Sequence, residues 1–230
     1  MQKIITQIGS LPFKNTMQAI GFSLRHDIPF LPELPSLGDS MLNCLKAPGR
    51  LSCLEDFKRL KFSQVKIQCV GPATAILAGY SENEAIEKIC EHISQILKGL
   101  HAEEIILFLD EPSLNHAGFN YVELWSAIFS NFKVTSGIHC CENTDWDILF
   151  KSDVEIISFD ASKYDITIYP FYRSNIRIAW GVNNLNEIKD FKKGDLITLP
   201  CGMSPLAYTI SDAETFFLKL LQMKKEKNND

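Results

Sequence analysis

The chain alternates between short β-rich runs and segments with helical periodicity, and this alternation constrains its fold more than any other feature. Eight β-rich runs occur in order, at Lys3–Ile8, Pro29–Glu33, Gln64–Val70, Ile105–Asp110, Lys133–His139, Glu155–Asp160, Ile176–Val182 and Asp195–Cys201. Strands that alternate with helices form parallel sheets, and eight repeats predict a (β/α)8 TIM barrel in preference to an open doubly wound sheet. The run at Pro29–Glu33 is the weakest strand prediction, because proline cannot donate a ladder hydrogen bond.

Two of the helical segments carry a sequence signal for their first turn. Ser81–Glu84 and Ser211–Glu214 have the spacing of a capping box, in which the serine and the glutamate each satisfy a free backbone N–H. We therefore expect helices to begin at both positions.

The length and composition predict one barrel domain over residues 1–230. A chain of 230 residues with 46% hydrophobic residues can bury a substantial core, and single α/β barrels reach this length. The net charge of -5 argues against nucleic-acid and anionic-membrane partners. No apolar stretch approaches the roughly 20 residues that span a bilayer, and the chain begins without the pattern of a signal peptide. We expect a cytoplasmic protein.

The seven cysteines are predicted to be reduced, because their number is odd and their spacing is not that of a small disulfide scaffold. Cys44, Cys53, Cys69 and Cys90 lie among apolar neighbours and are expected to be structural. Trp146 and Trp180 are expected in the core, and His26 and His116 are expected to be solvated or to cap a helix.

Polar residues recur where the predicted strands end. They are Ser10, Glu33, Asp110, Glu111, His139, Cys141, Asp160 and Cys201. The carboxyl ends of barrel strands form the face on which barrel enzymes carry out their chemistry, so these side chains are candidate site residues. The alternative is that polar residues simply begin the loops, which would account for any one of them.

A metal site is predicted among these residues. His139 and Cys141 lie on the same side of a strand, because side chains alternate along it. Cys201 and Asp160, each at the end of another run, would complete a thiolate-rich set of the kind that zinc prefers. A vestigial site, or cysteines packed in the core, is the alternative.

The order of several short motifs extends the prediction to a family. The motifs are Gln7–Pro12, Ile28–Pro35, Val70–Thr74, Leu109–Pro112, Ile138–Trp146, Ser158–Asp160, Trp180–Val182 and Pro200–Gly202. Over nearly its whole length the chain resembles the superfamily of cobalamin-independent methionine synthase and uroporphyrinogen decarboxylase. The closest resemblance is to short single-barrel relatives of the catalytic half of methionine synthase.

The resemblance implies a zinc-dependent methyltransferase that transfers a methyl group to a small thiol, with homocysteine as the expected acceptor. It places zinc on His139, Cys141, Cys201 and Asp160, where Asp160 is one methylene shorter than the family's glutamate. It also implies binding of the substrate carboxylate by Ile8, Gly9 and Ser10, and of the ammonium by Asp110 and Glu33. Asp110 and Glu111 are the expected catalytic pair.

The chain also departs from the synthases. They carry a histidine after the seventh strand, where this chain has Asn183, and a second barrel that helps to hold a long folate tail. The expected methyl donor is therefore not a long polyglutamylated folate but a smaller folate, a methylated corrinoid protein or another methylated metabolite. Two other functions are considered. One is a non-catalytic zinc- or thiol-binding barrel. The other is a tetrapyrrole decarboxylase, which needs more basic residues than the five arginines present.

Overall fold

The computed structural model describes residues 2–112, 114, 118–173 and 175–226, and their core is a seven-stranded sheet in which every strand pair is parallel. The strands are β1 Ile4–Ile5, β2 Lys61–Val70, β3 His101–Asp110, β4 Thr135–Cys140, β5 Ile156–Asp160, β6 Arg177–Gly181 and β7 Leu196–Thr198. They lie in the order β1-β7-β6-β5-β4-β3-β2. The predicted α/β class is confirmed.

Helices follow most of the strands. They are α1 Thr16–Ser23, α2 Asn43–Lys46, α3 Leu54–Phe57, α4 Pro72–Leu77, α5 Glu82–Leu97, α6 Tyr121–Phe129, α7 Trp146–Phe150 and α8 Ile210–Lys225. Short 3₁₀ turns lie at Pro35–Leu37, Ile166–Ile168 and Leu185–Glu187. Within the described ranges, no helix is long and apolar enough to cross a membrane.

The second predicted run, Pro29–Glu33, is not a regular strand. It makes two isolated parallel bridges, Phe30 with Lys66 and Glu33 with Ser10. The amides of Leu31 and Glu33 donate to the carbonyls of Lys66 and Gly9, each over 2.9 Å. A continuous ladder does not form because Pro29 and Pro32 have no N–H to donate. This segment nevertheless bonds both to the residues after β1 and to β2, the two edges of the sheet, and the sheet is therefore curled.

Most of the buried apolar residues form one large cluster that includes Val65, Ile67, Leu107 and Leu109 of β2 and β3 together with Ile89 and Ile93 of α5. A second, smaller cluster gathers alternate strand residues, including Ile106, Phe108, Ile156, Ala179 and Leu196. Side chains at alternate positions point to opposite faces. The smaller cluster therefore fills the inner face of the curled sheet, and the helices cover the outer face.

One of the two predicted capping boxes is present as expected and the other is displaced. Ser81 and Glu84 cap α5 reciprocally. At α8 the box is formed by Thr209 and Asp212, so the prediction for Ser211 is wrong. Thr209 and Asp212 have the same spacing as Ser211 and Glu214 but lie two residues earlier in the chain. The helix begins at this first capping pair.

Some predictions for single residues are confirmed and others are not. All seven cysteines are free, as expected, and Trp146 and Trp180 are buried. His26 caps a helix, as the second of its two predictions has it, because its Nδ1 lies 3.3 Å from the Phe22 carbonyl and 3.2 Å from the Ser23 carbonyl at the end of α1. It is not solvated, since its ring packs in the core against Phe217, and burial lowers its pKa to about 4. His116 lies outside the described residues.

Candidate metal centre

The inner face of the sheet changes from apolar to polar toward the carboxyl ends of its strands. Asp110 of β3 is paired in register with His139 of β4, and His139 with Ser158 of β5. All three side chains are buried. The apolar inner cluster lies beneath this layer, because Phe108 and Ile156 precede Asp110 and Ser158 by two residues on the same face. On the inner face, a layer of polar side chains therefore lies above a layer of packed apolar side chains.

One imidazole and two thiols converge at this end of the sheet. His139 lies near the end of β4, Cys141 follows β4 directly, and Cys201 lies three residues after the end of β7. One ligand atom from each of these residues lies within 4.8 Å of the other two. Atoms that share a tetrahedral zinc ion lie roughly 3.5 Å apart. The group could therefore hold a metal ion after small side-chain adjustments.

The His139 ring is oriented by a hydrogen bond from the neighbouring strand. Its Nδ1 lies 3.0 Å from Ser158 Oγ. Its Nε2 is buried and has no hydrogen-bond partner among the described residues. Metal-binding histidines commonly use one ring nitrogen for the ion and the other for an orienting hydrogen bond. An orphaned nitrogen beside two thiols is a donor set that fits zinc or another thiophilic ion.

The two thiols differ in acidity because they share a hydrogen bond. The bond from Cys141 is the main cause that lowers the pKa of Cys201, and the nearby His139 ring lowers it further. The same bond raises the pKa of Cys141 far above its ordinary value. Cys201 therefore has thiolate character, and the thiolate is the form of cysteine that binds metal ions.

Asp160 does not join this group among the described residues. Its Oδ1 accepts hydrogen bonds from Ser162, over 3.0 Å from the amide and 2.5 Å from the hydroxyl. Its Oδ2 lies 3.1 Å from Lys163 Nζ. Both carboxylate oxygens are therefore engaged by local partners, and the structure places the expected fourth ligand beside the cluster.

The residues expected to bind an amino acid lie at the same end of the sheet. Ser10 Oγ donates to Glu33 Oε2 over 3.3 Å, and Ile8 and Glu33 are buried. Burial is the main cause that raises the pKa of Glu33 to about 8, with the nearby Asp110 as the next cause. The Gly9 amide donates to Gln68 Oε1 over 2.8 Å, so this N–H is already occupied.

Asp110 and Glu111 are adjacent in sequence but occupy different environments. Asp110 Oδ2 accepts from Gln68 Nε2 over 3.0 Å, whereas its Oδ1 is buried and has no partner among the described residues. Desolvation raises the pKa of Asp110 to about 6. Glu111 is fully buried, and it accepts hydrogen bonds from the backbone amides of Ala73 and Thr74, the Thr74 hydroxyl and the Trp125 indole. Asp110 thus offers a free acceptor, and Glu111 does not.

Sequence reasoning missed Lys66, which is fully buried on β2. Its ammonium donates to Gln68 Oε1 and lies 4.8 Å from the centre of the Phe108 ring. Burial lowers the pKa of Lys66 to about 8, opposed by the negative charges of Asp110 and Glu33. The available signal was the pattern Val65–Cys69, in which two polar residues alternate with apolar ones inside a strand.

No protein-family model matches the chain, and no curated protein matches it as a relative.

Proposed function

We propose that the protein is a zinc-dependent S-methyltransferase that activates a small thiol, with homocysteine as the preferred acceptor, in the manner of the methionine synthases that its motifs resemble. The observation that supports this most directly is the convergence of His139, Cys141 and Cys201 within 4.8 Å. These three residues would hold the metal, and Ser158 would orient the imidazole. Zinc bound by such ligands turns a coordinated thiol into a thiolate that remains nucleophilic at neutral pH.

Three protein ligands leave one position of a tetrahedral zinc ion open, as catalytic sites require. The placement of Asp160 supports this proposal, because Ser162 and Lys163 compete for its carboxylate. We infer that the open position receives the substrate thiol.

Two buried acids would bind the ammonium of an amino-acid thiol. Asp110 Oδ1 lacks a partner among the described residues, and Asp110 lies beside His139 in the strand register. Glu33 is close enough to Asp110 for the two charges to interact. Because the pKa of Glu33 is about 8, Glu33 is mostly protonated near neutral pH and Lys66 compensates the charge of Asp110. The ammonium of a bound substrate would favour ionisation of Glu33 and pair with its carboxylate.

The proposal includes a closed eight-membered barrel. Residues 28–33 would act as the eighth member, because they hydrogen bond to Gly9 on one side and to Lys66 of β2 on the other. Closure would bring the carboxyl ends of all strands around one centre, which is the arrangement on which barrel enzymes build their sites.

The test is zinc content, measured by elemental analysis of protein purified without a metal-affinity tag. We expect near-stoichiometric zinc in the parent protein and its loss in Cys201→Ser. Cys90→Ser is the matched control, because Cys90 is also a free cysteine but lies outside the cluster. Protein that takes up no zinc on titration would refute the proposal.

Transfer is tested separately with homocysteine and a panel of methyl donors, with methionine detected by mass spectrometry. Protein that binds zinc and homocysteine but forms no methionine with any donor would be a non-catalytic thiol-binding barrel.

A further inference from the structure

A cavity of about 260 Å³ adjoins Cys201, and nothing above assigns a ligand to it. Its walls come from the segments that follow β5, β6 and β7 and from α8, and they include Asp160, Lys163, Asn183, Tyr208 and Phe216. The cavity therefore opens beside one of the three candidate metal ligands, where a methyl donor would have to approach a bound thiol. The inference that follows rests on the proposed thiol methylation.

The size of the cavity restricts its occupant. Pockets that enclose drug-sized ligands measure about 300–1,000 Å³, and this cavity is smaller. A complete folate or corrinoid would not fit within it. A small metabolite, of the size of an amino acid, would.

The charges of the walls suit a zwitterion. Asp160 and Lys163 form an ion pair of 3.1 Å, so a carboxylate and an ammonium stand side by side. The side chain of Asn183 makes no hydrogen bond within the described residues. A ligand carboxylate would bind Lys163 and the Asn183 amide.

Aromatic rings complete a site for a cation. Tyr208 and Phe216 pack edge to face with their ring centres 5.8 Å apart. Aromatic rings attract cations, and a nearby carboxylate adds to that attraction. The cationic centre of a ligand would therefore lie between Asp160 and the Tyr208 ring.

The described walls of the cavity offer a leaving group only weak proton donors. They include the Tyr208 hydroxyl and Lys163, which Asp160 holds in an ion pair, but no histidine. A methyl group on a neutral amine, as in a folate, departs well only when the amine is protonated. A methyl group on a sulfonium or quaternary ammonium needs no proton, because its leaving group departs as a neutral molecule.

We propose that this cavity binds a small zwitterionic methyl onium, such as a sulfonium amino acid, and that this compound is the methyl donor. In the transfer step a bond forms between the acceptor sulfur and the methyl carbon. The bond from the methyl carbon to the onium sulfur breaks, and its electron pair stays on that sulfur, which leaves as a neutral thioether. The thiol proton is lost to solvent when the thiolate forms, and no oxidant or reductant takes part.

The experiment uses S-methylmethionine as the probe, and calorimetry of the zinc-loaded protein measures its binding. We expect S-methylmethionine to bind at least tenfold more tightly than methionine, which lacks the positive charge. Tyr208→Leu and Asn183→Ala should each weaken binding about tenfold or more. Phe171→Leu is the control and should leave binding unchanged, because Phe171 is an aromatic residue on the surface that does not line the cavity.

Transfer is measured with unlabelled S-methylmethionine and with homocysteine that carries deuterium on its side-chain carbons, and the expected product is methionine with that label. Failure of S-methylmethionine to bind, or equal binding by the Tyr208→Leu and Asn183→Ala variants and the parent, overturns the inference. Methyl transfer from methyltetrahydrofolate or methylcobalamin alone also overturns it, while leaving the proposed thiol methylation in place. If the protein binds S-methylmethionine but holds neither zinc nor a thiol, the ligand assigned to the cavity is supported and the proposed thiol methylation is refuted.

Discussion

Replacement of Glu111 should destabilise the protein through its contacts with α4 and α6. Its carboxylate accepts two hydrogen bonds on each oxygen, from Ala73 and Trp125 on one and from the amide and hydroxyl of Thr74 on the other. Ala73 and Thr74 lie in the first turn of α4, where backbone N–H groups have no partner within the helix. Glu111, which directly follows β3, therefore caps a helix that is distant in sequence.

The cost can be estimated from the donors left without a partner. In Glu111→Gln, an NH₂ group replaces one carboxylate oxygen. If this NH₂ group faces Thr74, the Thr74 backbone N–H loses its acceptor, whereas the Thr74 hydroxyl can rotate and accept a hydrogen bond from the NH₂ group. An unsatisfied buried donor costs about 1–3 kcal/mol. For a chain of this length, 1 kcal/mol shifts the melting temperature by roughly 2–4 °C, so we expect a decrease of roughly 2–12 °C. Glu111→Ala leaves all four donors unpaired and should cost more, about 4 kcal/mol or above.

The assay is urea and thermal unfolding of the parent, the two Glu111 variants and the control Glu103→Gln, which changes an exposed glutamate of β3, the strand that Glu111 directly follows. Asp110→Asn, measured alongside, should affect the proposed thiol binding more than stability. If both Glu111 variants unfold like the parent but lack a methyl transfer that the parent performs, then Glu111 acts in catalysis and the capping explanation is wrong.

Three further substitutions should change the stability of the protein in a defined direction. Asp195→Asn should cost about 3–5 kcal/mol in urea unfolding, because it breaks the buried pair with Arg173 and weakens three other hydrogen bonds; equal stability would refute this. Glu33→Gln should match the parent near pH 4.5 and be the more stable protein at pH 8.5. The reason is that the pKa of Glu33 is raised in the folded protein, so the parent loses stability as pH rises from the ordinary pKa of 4.5 through about 8. A difference in urea midpoint between the two proteins that does not change with pH would contradict this. Gly137→Ala should lower the unfolding free energy by about 1–3 kcal/mol, since its Cβ would lie 2.3 Å from the Phe108 ring, and an unchanged melting temperature would show that the ring moves aside without cost.

Much of the strand framework could be predicted from the sequence, because strand formation leaves a local signal. The apolar runs at β2 to β7 matched strands to within a few residues, and the loss of ladder hydrogen bonding at Pro29 and Pro32 followed from proline chemistry. The convergence of His139 with Cys141 and Cys201 was also predictable, since alternation along one strand and the shared edge of a parallel sheet bring them together.

Other features depended on which atoms compete for one partner in the folded chain. The sequence predicted Asp160 as a fourth metal ligand, but only the packing shows its oxygens taken by Ser162 and Lys163. Likewise Glu111 meets Trp125 and the start of α4, and Lys66 is buried beside Phe108, through contacts between segments far apart in sequence. Periodicity determines which face of an element a residue occupies. The partner of each polar atom is decided only when other segments close around it, because burial makes every unpaired polar group costly and the chain must pair them with whatever the fold brings near.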